Sequence, residues 1–500
     1  MKKLLMPVFL CGILFVSCSK EEVPKEKTSE KKTTSEPEVT EDIEVEQFIY
    51  RAMNDIYLYK ADVPELADDY FSSTSEKDGF LAAFDSPETC YSGLQSDQDH
   101  FSFMMDDYTA LEKMLNGISK SNGMNFALGI IGDSDDVFGY VRYVQPGTSA
   151  EENGIKRGDI FTEVNGVKLT RYNYGDLISL ENYSINLGEI KNGYITMSDK
   201  TVSLTSVEYS EDPVFMHKVI EKEGRKIGYL MYLGFYGTDK YNAELNNAFG
   251  DLKAQGVTDL VLDLRYNGGG SVSTAIDLSS MITGQFNDKV FIQYEYNEDY
   301  QDYYEKYRPS DLYLRMDSQI STGEAINNLN LSKVYVLATG SSASASELVI
   351  NGLSAYIDVV HVGTNTRGKF QASTTLYDSP NFWKYDENGK WHVNSKHTYA
   401  LQPLILKYAN ANGVSDFVNG LTPDIEVKES LSNYGVLGDP SETLFKAAID
   451  DILGNQQEEV AASQKRASRE NFRFVGESDM LKPTYQRMYV DPTTILRKEK

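Results

Sequence analysis

The residues best placed to do chemistry lie in Gly340-Ser341-Ser342-Ala343-Ser344-Ala345-Ser346-Glu347-Leu348. The apolar run 333–338 before it reads as a strand. Residues 345–356 after it, with Val349, Leu353 and Tyr356 on one face, read as a helix. A serine at a strand-to-helix turn exposes its hydroxyl, and the amides that follow point at whatever it attacks. Those amides and the helix N-terminus form an anion site suited to a tetrahedral intermediate. The small neighbours let a substrate backbone come close. The same letters also spell a serine-rich cap and turn, and the segment by itself leaves that choice open.

Such a turn needs a sheet to hold it. From about 214 to 455 strands and helices alternate, and 260–264 is a buried strand followed by Arg265-Tyr266-Asn267-Gly268-Gly269-Gly270 and a helix over 271–281. Repeated strand–loop–helix units imply a mostly parallel sheet with helices on its faces. The site then belongs where strands give way to helix N-termini. Upstream, 119–205 is a series of short strands broken by Gly and Asp. Residues 43–118 read as mostly helical, with Phe48, Ile49, Ala52, Met53 and Ile56 at helical spacing behind Asp42 as cap. With 500 residues the chain has room for about three domains. The last stretch, from Asn455, is polar and charged and shows no readable pattern.

Two resemblances sharpen this outline. The run from Val144 through Gln145-Pro146-Gly147, Asn153-Gly154 and Gly158-Asp159-Ile160 to Val164-Asn165-Gly166 resembles a PDZ domain, its Asn-Gly pair marking a hairpin turn. The resemblance implies capture of extended peptides, often C-termini, by strand addition at a sheet edge. The carboxylate would be held by the loop that matches Phe126-Ala127-Leu128-Gly129. Further on come Asp263-Leu264-Arg265-Tyr266-Asn267-Gly268-Gly269-Gly270, the SASASE segment, Gly363-Thr364-Asn365-Thr366-Arg367-Gly368-Lys369 and Gly420-Leu421-Thr422-Pro423-Asp424, in that order. With them the chain resembles the C-terminal processing (tail-specific) peptidase family of Ser–Lys proteases, in its PDZ-containing bacterial lipoprotein branch.

That resemblance implies a multidomain α/β protein: an N-terminal helical domain, a PDZ domain and a strand–helix alternating, crotonase-like protease core. Ser344 becomes the nucleophile and Lys369 its general base. The amides of Ala345 and of Gly269 or Gly270 become the oxyanion hole, and no metal or cofactor is implied. A lysine at its ordinary pKa of ~10.4 is protonated and no base, so Lys369 requires a desolvated pocket. One position departs from the pattern. The family places a Gln four residues after the Lys, where this chain has Ser373, while Gln371 stands two residues on. Either Gln371 serves as third catalytic residue on a shifted loop, or Ser373 does, or the third member is missing. His361 offers a Ser–His alternative, but it sits in an apolar strand pattern with no evident Asp partner.

The N-terminus reads as an address. Met1-Lys2-Lys3, the apolar run 4–16 and Ser17-Cys18 form a signal peptide over 1–17. Leu14-Phe15-Val16-Ser17-Cys18 resembles a lipobox that makes Cys18 the lipidated first residue, and Ser19-Lys20-Glu21-Glu22 resembles the surface-export signal of Bacteroidota-type lipoproteins. Residues 18–42, charged and without aromatics, form a solvated tether. The domains are then 43–118 helical, 119–205 PDZ, 206–455 protease core and 456–500 of unassigned role. The net charge of −27 disfavours nucleic acid and anionic membranes, and no basic patch offsets it. Three cysteines and five histidines exclude a disulfide framework and a Cys-rich metal site, and they leave Cys90 as a small buried thiol.

The partners expected are polypeptide substrates and a membrane of the cell envelope, the outer one, reached through the Cys18 lipid with exposure at the surface. Nothing sets the oligomeric state. The competing reading is a surface peptide- or ligand-binding lipoprotein of weak turnover on the same fold. The lipobox reading predicts that Cys18→Ala moves the protein from the membrane to the soluble fraction. Unchanged partitioning on fractionation contradicts it.

Overall fold

The computed structural model describes residues 42–191, 194–455, 460–462, 465 and 472–491. Cys18, the signal peptide and the tether up to residue 41 lie outside the described residues. Everything described belongs to one unit, Glu41–Lys500.

Helix α1 (Glu44–Ile56) buries Phe48, Ile49, Ala52, Met53 and Ile56, the stripe read from the spacing, and Asp42 accepts a hydrogen bond from the Glu44 amide at 3.3 Å. Three further helices begin on the side chains of Ser73, Ser86 and Asp107, each of which accepts from an otherwise unpaired first-turn amide. The apolar faces of α1 and of the helices begun by Ser73 and Ser86 share one cluster with the core strands, while Leu111 of the third packs in a smaller cluster with Tyr377 and Ala400, so the helical segment is packed onto the core. Cys90 is in the larger cluster, and burial pushes its thiol up to about 12. Between the second and third of these helices, Phe103–Met105 pairs antiparallel with Ala400–Gln402, and Phe101 just before it lies against Lys369.

The PDZ domain is built on β1 (Met124–Ile131) and β2 (Val137–Val144), an antiparallel pair with the short helix α2 (Tyr174–Ile178) beside it. At the hairpin turn Asn165 and Gly166 both take positive φ, 54° and 74°, as a tight two-residue turn requires. One expectation needs correction. Phe126-Ala127-Leu128-Gly129 is not a loop but the middle of β1, buried on both faces, and strand pairing begins two residues earlier at Met124. The turn that precedes the strand is Asn122-Gly123. The resemblance fixes the motif but not where strand pairing begins, and Gly129 lies within the paired run. That glycine leaves room for the Phe138 ring, 2.9 Å from where a Cβ would stand.

The core sheet runs Val214–Lys222, Arg225–Tyr232, β3 (Asp259–Asp263), β4 (Lys333–Ala338), β5 (Asp358–Gly363), Ile425–Glu426, parallel after the first pair. Leu260 and Leu262 point into one apolar cluster and Val261 into the other, so β3 is covered on both faces, as a parallel sheet requires. Helix α3 (Ala345–Leu353) follows β4 and stops three residues short of Tyr356, while α4 (Thr443–Ile452) covers the opposite face. A second sheet carries Gly270–Ser271, Gln371–Ser373, Leu404–Asn410, Val290–Tyr296 and Tyr313–Arg315.

The C-terminal stretch joins both domains. β6 (Phe472–Glu477) adds antiparallel to β1, and β7 (Met488–Tyr489) lies parallel between Gly270–Ser271 and Gln371–Ser373. Strands this short, whose partners stand hundreds of residues away, leave no period for a sequence window to detect.

The mouth of the core sheet is pinned by Arg265. Its side chain is fully buried and binds Asp263 at 2.9 Å, Glu442 at 2.7 Å and Glu429 at 3.1 Å, tying the end of β3 to the cap of α4. Breaking a buried ion network from one side costs ~3–5 kcal/mol, because the remaining charges lose their compensation. Arg265→Met is expected to lose that much stability in urea titration followed by circular dichroism. A loss below about 1 kcal/mol would show that water or rearrangement satisfies the three carboxylates.

Candidate active site

Ser344 caps α3 at the end of the turn that leaves β4, and it is fully buried. Its backbone sits at φ 65° and ψ −114°, a region that costs a non-glycine residue of order 1–3 kcal/mol. The surroundings hold it there. The Ser344 amide donates to Glu347 Oε2 at 2.7 Å, and its carbonyl accepts from Leu348 at 2.8 Å. The strand-end turn after β3 is stitched to the same loop. Ser342 Oγ donates to the Leu264 carbonyl at 2.7 Å, and Ser346 Oγ and the Ala343 amide both donate to that of Asn267, at 2.9 and 3.2 Å.

The glycines of that turn bring backbone against the serine. A Cβ at Gly269 (φ 108°) would stand 2.6 Å from the Ser344 Cβ, so no side chain fits there. The Gly269 amide is itself engaged by Asn267 Oδ1 at 2.9 Å. Ala345 opens α3, where a first-turn amide has no acceptor within its helix. A cavity of about 80 Å³ lies beside the turn, lined by Gly268, Gly269, Gly270, Ser341, Glu477 and Arg487 among others.

One carboxylate spans the two motifs. Besides the Ser344 amide, Glu347 accepts from the amides of Lys369 at 2.9 Å and Gly368 at 2.6 Å, and from Thr366 Oγ1 at 2.5 Å. Thr366 Oγ1 in turn accepts from the Leu421 amide at 2.7 Å, which draws in the Gly420–Asp424 segment. Burial raises the Glu347 pKa while the four hydrogen bonds oppose the rise. Sequence reading passed over this residue, although Ser344-x-x-Glu347 has the spacing of a capping box.

Lys369 has no exposed surface, and its Nζ lies 4.7 Å from the centre of the Phe101 ring with no hydrogen-bond partner. Burial first, and the nearby Arg487 guanidinium second, hold its pKa well below the ordinary 10.5. Arg487 stacks over Phe101 and Phe103, and burial lowers its own pKa to about 10. The Ser344 hydroxyl is likewise buried and unpartnered, and no hydrogen bond joins it to Lys369.

The remaining candidates separate. Gln371 donates to Tyr59 Oη at 3.0 Å and keeps a buried Oε1 without a partner, whereas the Ser373 hydroxyl is spent on the Met488 carbonyl at 3.1 Å. His361 lies in β5, with Nε2 facing the Ala338 carbonyl at 3.3 Å, its pKa lowered by burial and no hydrogen bond to Ser344. From the PDZ domain, Arg142 on β2 reaches Ser341 Oγ at 3.1 Å and pairs with Glu477. Among the described residues no group of three or more His, Cys, Asp or Glu is placed to hold a metal ion.

Comparison with known proteins adds an independent line. Residues 226–427 match the model of peptidase family S41, 44–103 that of the peptidase S41 N-terminal domain, and 115–177 that of the PDZ domain. A carboxyl-terminal-processing protease of Picosynechococcus sp. is 25% identical over 318 residues, covering 62% of this chain and 66% of that protein. A carboxy-terminal-processing protease of Bartonella bacilliformis is 25% identical over 294 residues, 57% of each. Both matches span less than two thirds of the relative's length. A crystal structure from Bacteroides fragilis, assigned to the S41 proteases, aligns with a TM-score of 0.63 at 28% identity, over 84% of this chain and 99% of that one.

The buried amine makes a prediction about stability. A lysine whose folded pKa lies below 10.5 binds fewer protons folded than unfolded between those two pH values. Stability therefore rises with pH through that window, and the full penalty is present below the folded pKa. Lys369→Met keeps the stem and removes the amine, so it is expected to exceed wild type in denaturant midpoint at neutral pH. The gap should close as pH approaches 10.5. A gap that stays constant over the whole range contradicts a lowered lysine pKa.

Proposed function

Because this chain belongs to peptidase family S41, with that family's N-terminal and PDZ domains, we propose that it is a serine endopeptidase. It cleaves extended or C-terminal polypeptide segments through an acyl-enzyme. The observation that carries this reading is the buried pair itself: a strained Ser344 and a desolvated Lys369, both anchored by Glu347. A protein that only binds has no use for a desolvated amine and a strained serine held at such cost.

The chemistry follows from the groups present. Ser344 Oγ attacks the peptide carbonyl carbon while Lys369 Nζ takes the hydroxyl proton and then delivers it to the leaving amine. Water hydrolyses the ester with Lys369 again acting as base. The developing oxyanion meets the Ala345 amide and, from the glycine turn, that of Gly270, since Asn267 holds the Gly269 amide, and one such donor is worth ~10²–10³ in rate. Gln371, through its unpartnered Oε1, is the candidate to orient the lysine, since the Ser373 hydroxyl is already committed. The PDZ domain captures the substrate, and the Cys18 lipid anchors the enzyme in the cell envelope.

Ser344→Ala and Lys369→Arg are each expected to lower kcat on a peptide library by about 10³ or more, the second because guanidinium does not deprotonate. Wild-type cleavage should rise with pH through the lysine's folded pKa. If Lys369→Arg cleaves as fast as wild type while His361→Gln does not, His361 is the base and this assignment fails.

A further inference from the structure

A peptide that joins a PDZ domain adds a strand to an exposed sheet edge. One edge of β1 pairs with β2; the other is taken by β6, in the antiparallel register Phe472↔Ile131, Phe474↔Gly129, Gly476↔Leu128, Glu477↔Ala127. The occupant behaves as a ligand in its side chains too. Phe472 packs against the Phe138 and Tyr140 rings on one face, while Val475 and Met480 pack with the Leu128 and Ile178 cluster on the α2 side.

β6 runs toward the start of β1, the end at which a captured peptide would place its carboxylate. There the Phe126 amide donates to Ser478 Oγ at 3.3 Å and Asn125 Nδ2 donates to the Asp479 carboxylate at 2.8 Å. A cavity of about 600 Å³ opens beside this end, lined by Asn122, Asn125, Ile178, Tyr183 and Asp479 among others, so the groove has room to exchange its occupant.

The segment also reaches the nucleophile. Glu477, at the end of β6, pairs with Arg142 of β2 and accepts from Ser341 Oγ at 2.7 Å, three residues before Ser344. Downstream, Gln486 lies against Gly268 and the Arg487 carbonyl against Gly269, while Ser344 and Lys369 have no exposed surface.

We propose that residues 472–479 are a ligand of this chain's own PDZ domain, one that fills the peptide edge, holds the Ser344 turn shut through Glu477, and yields to a peptide of like kind. That kind is extended, with aromatic and aliphatic side chains on alternate faces and a carboxylate at its end. The inference rests on the peptide capture proposed above. An occupied edge lowers the apparent affinity for any incoming peptide by the fraction of molecules in which β6 is detached.

Ile131 and Phe472 are register partners, at the separation a disulfide bridges. Full-length Ile131→Cys/Phe472→Cys, in a Ser344→Ala background so that nothing is cleaved, is titrated with a fluorescein-labelled octapeptide copying residues 472–479. The reduced protein is expected to bind, and the oxidised protein to bind at least about tenfold more weakly, with the single-cysteine variants unaffected by oxidant. Equal binding in both forms, or none in the reduced form, overturns the proposal. With Ser344 restored, the octapeptide should stimulate cleavage of quenched casein several-fold only when reduced. Binding without stimulation, in a protein that does cleave casein, overturns the link to the Ser344 turn. If no form cleaves casein while oxidation still abolishes binding, the protease reading fails and the bound strand stands.

Discussion

The architecture of the site depends on one buried carboxylate. Glu347 takes hydrogen bonds from the backbone of Ser344 and from Gly368, Lys369 and Thr366, so the two motifs that hold Ser344 and Lys369 share an anchor. A carboxylate is suited to this because two oxygens can accept several bonds at once, and each is stronger in a dry interior than at a surface. Desolvating the charge is unfavourable, and four donors aimed at it offset that. The strained backbone of Ser344 persists for the same reason: its amide is bonded to a group that cannot move without abandoning three other partners.

Around this anchor the protein removes water in two different ways. At Arg265 burial is matched by three carboxylates, and the guanidinium stays charged as a structural tie between β3 and α4. At Lys369 no hydrogen bond matches the burial: a phenyl ring faces the amine, and Arg487 acts on it more strongly than the carboxylates of Asp99 and Glu347, which pull the other way. The same desolvation accompanies a charged ion network in one place and an amine of lowered pKa in the other, and the difference lies in whether carboxylates were folded in within bonding distance of the cation.

The parts that create this pocket come from the whole chain. Phe101 arrives from the N-terminal segment through its strand pairing with 400–402, Arg487 arrives from the C-terminal stretch, and Arg142 arrives from the PDZ domain to meet Ser341. Glu477 at the end of β6 therefore meets the turn three residues before Ser344.

The sequence alone determined the order of the helical, PDZ and core segments, the strand-to-helix turn that carries Ser344, and the glycine-rich segment that carries Lys369. Each of these is local: periodicity over a dozen residues, or a glycine and serine pattern whose backbone demands can be met in few ways. It did not determine the role of Glu347, despite the capping-box spacing, because its second set of partners lies about twenty residues on, beyond the end of the neighbouring strand β5. It misplaced the loop of the PDZ domain, since the edges of β1 are defined by what pairs with them. The C-terminal stretch was unreadable, because Glu477, Arg487 and Met488 gain meaning only from Arg142, Phe101 and the glycine turn. Whether an amine is neutral, an edge occupied or a serine buried is decided by groups distant in sequence, and only the folded chain brings them together.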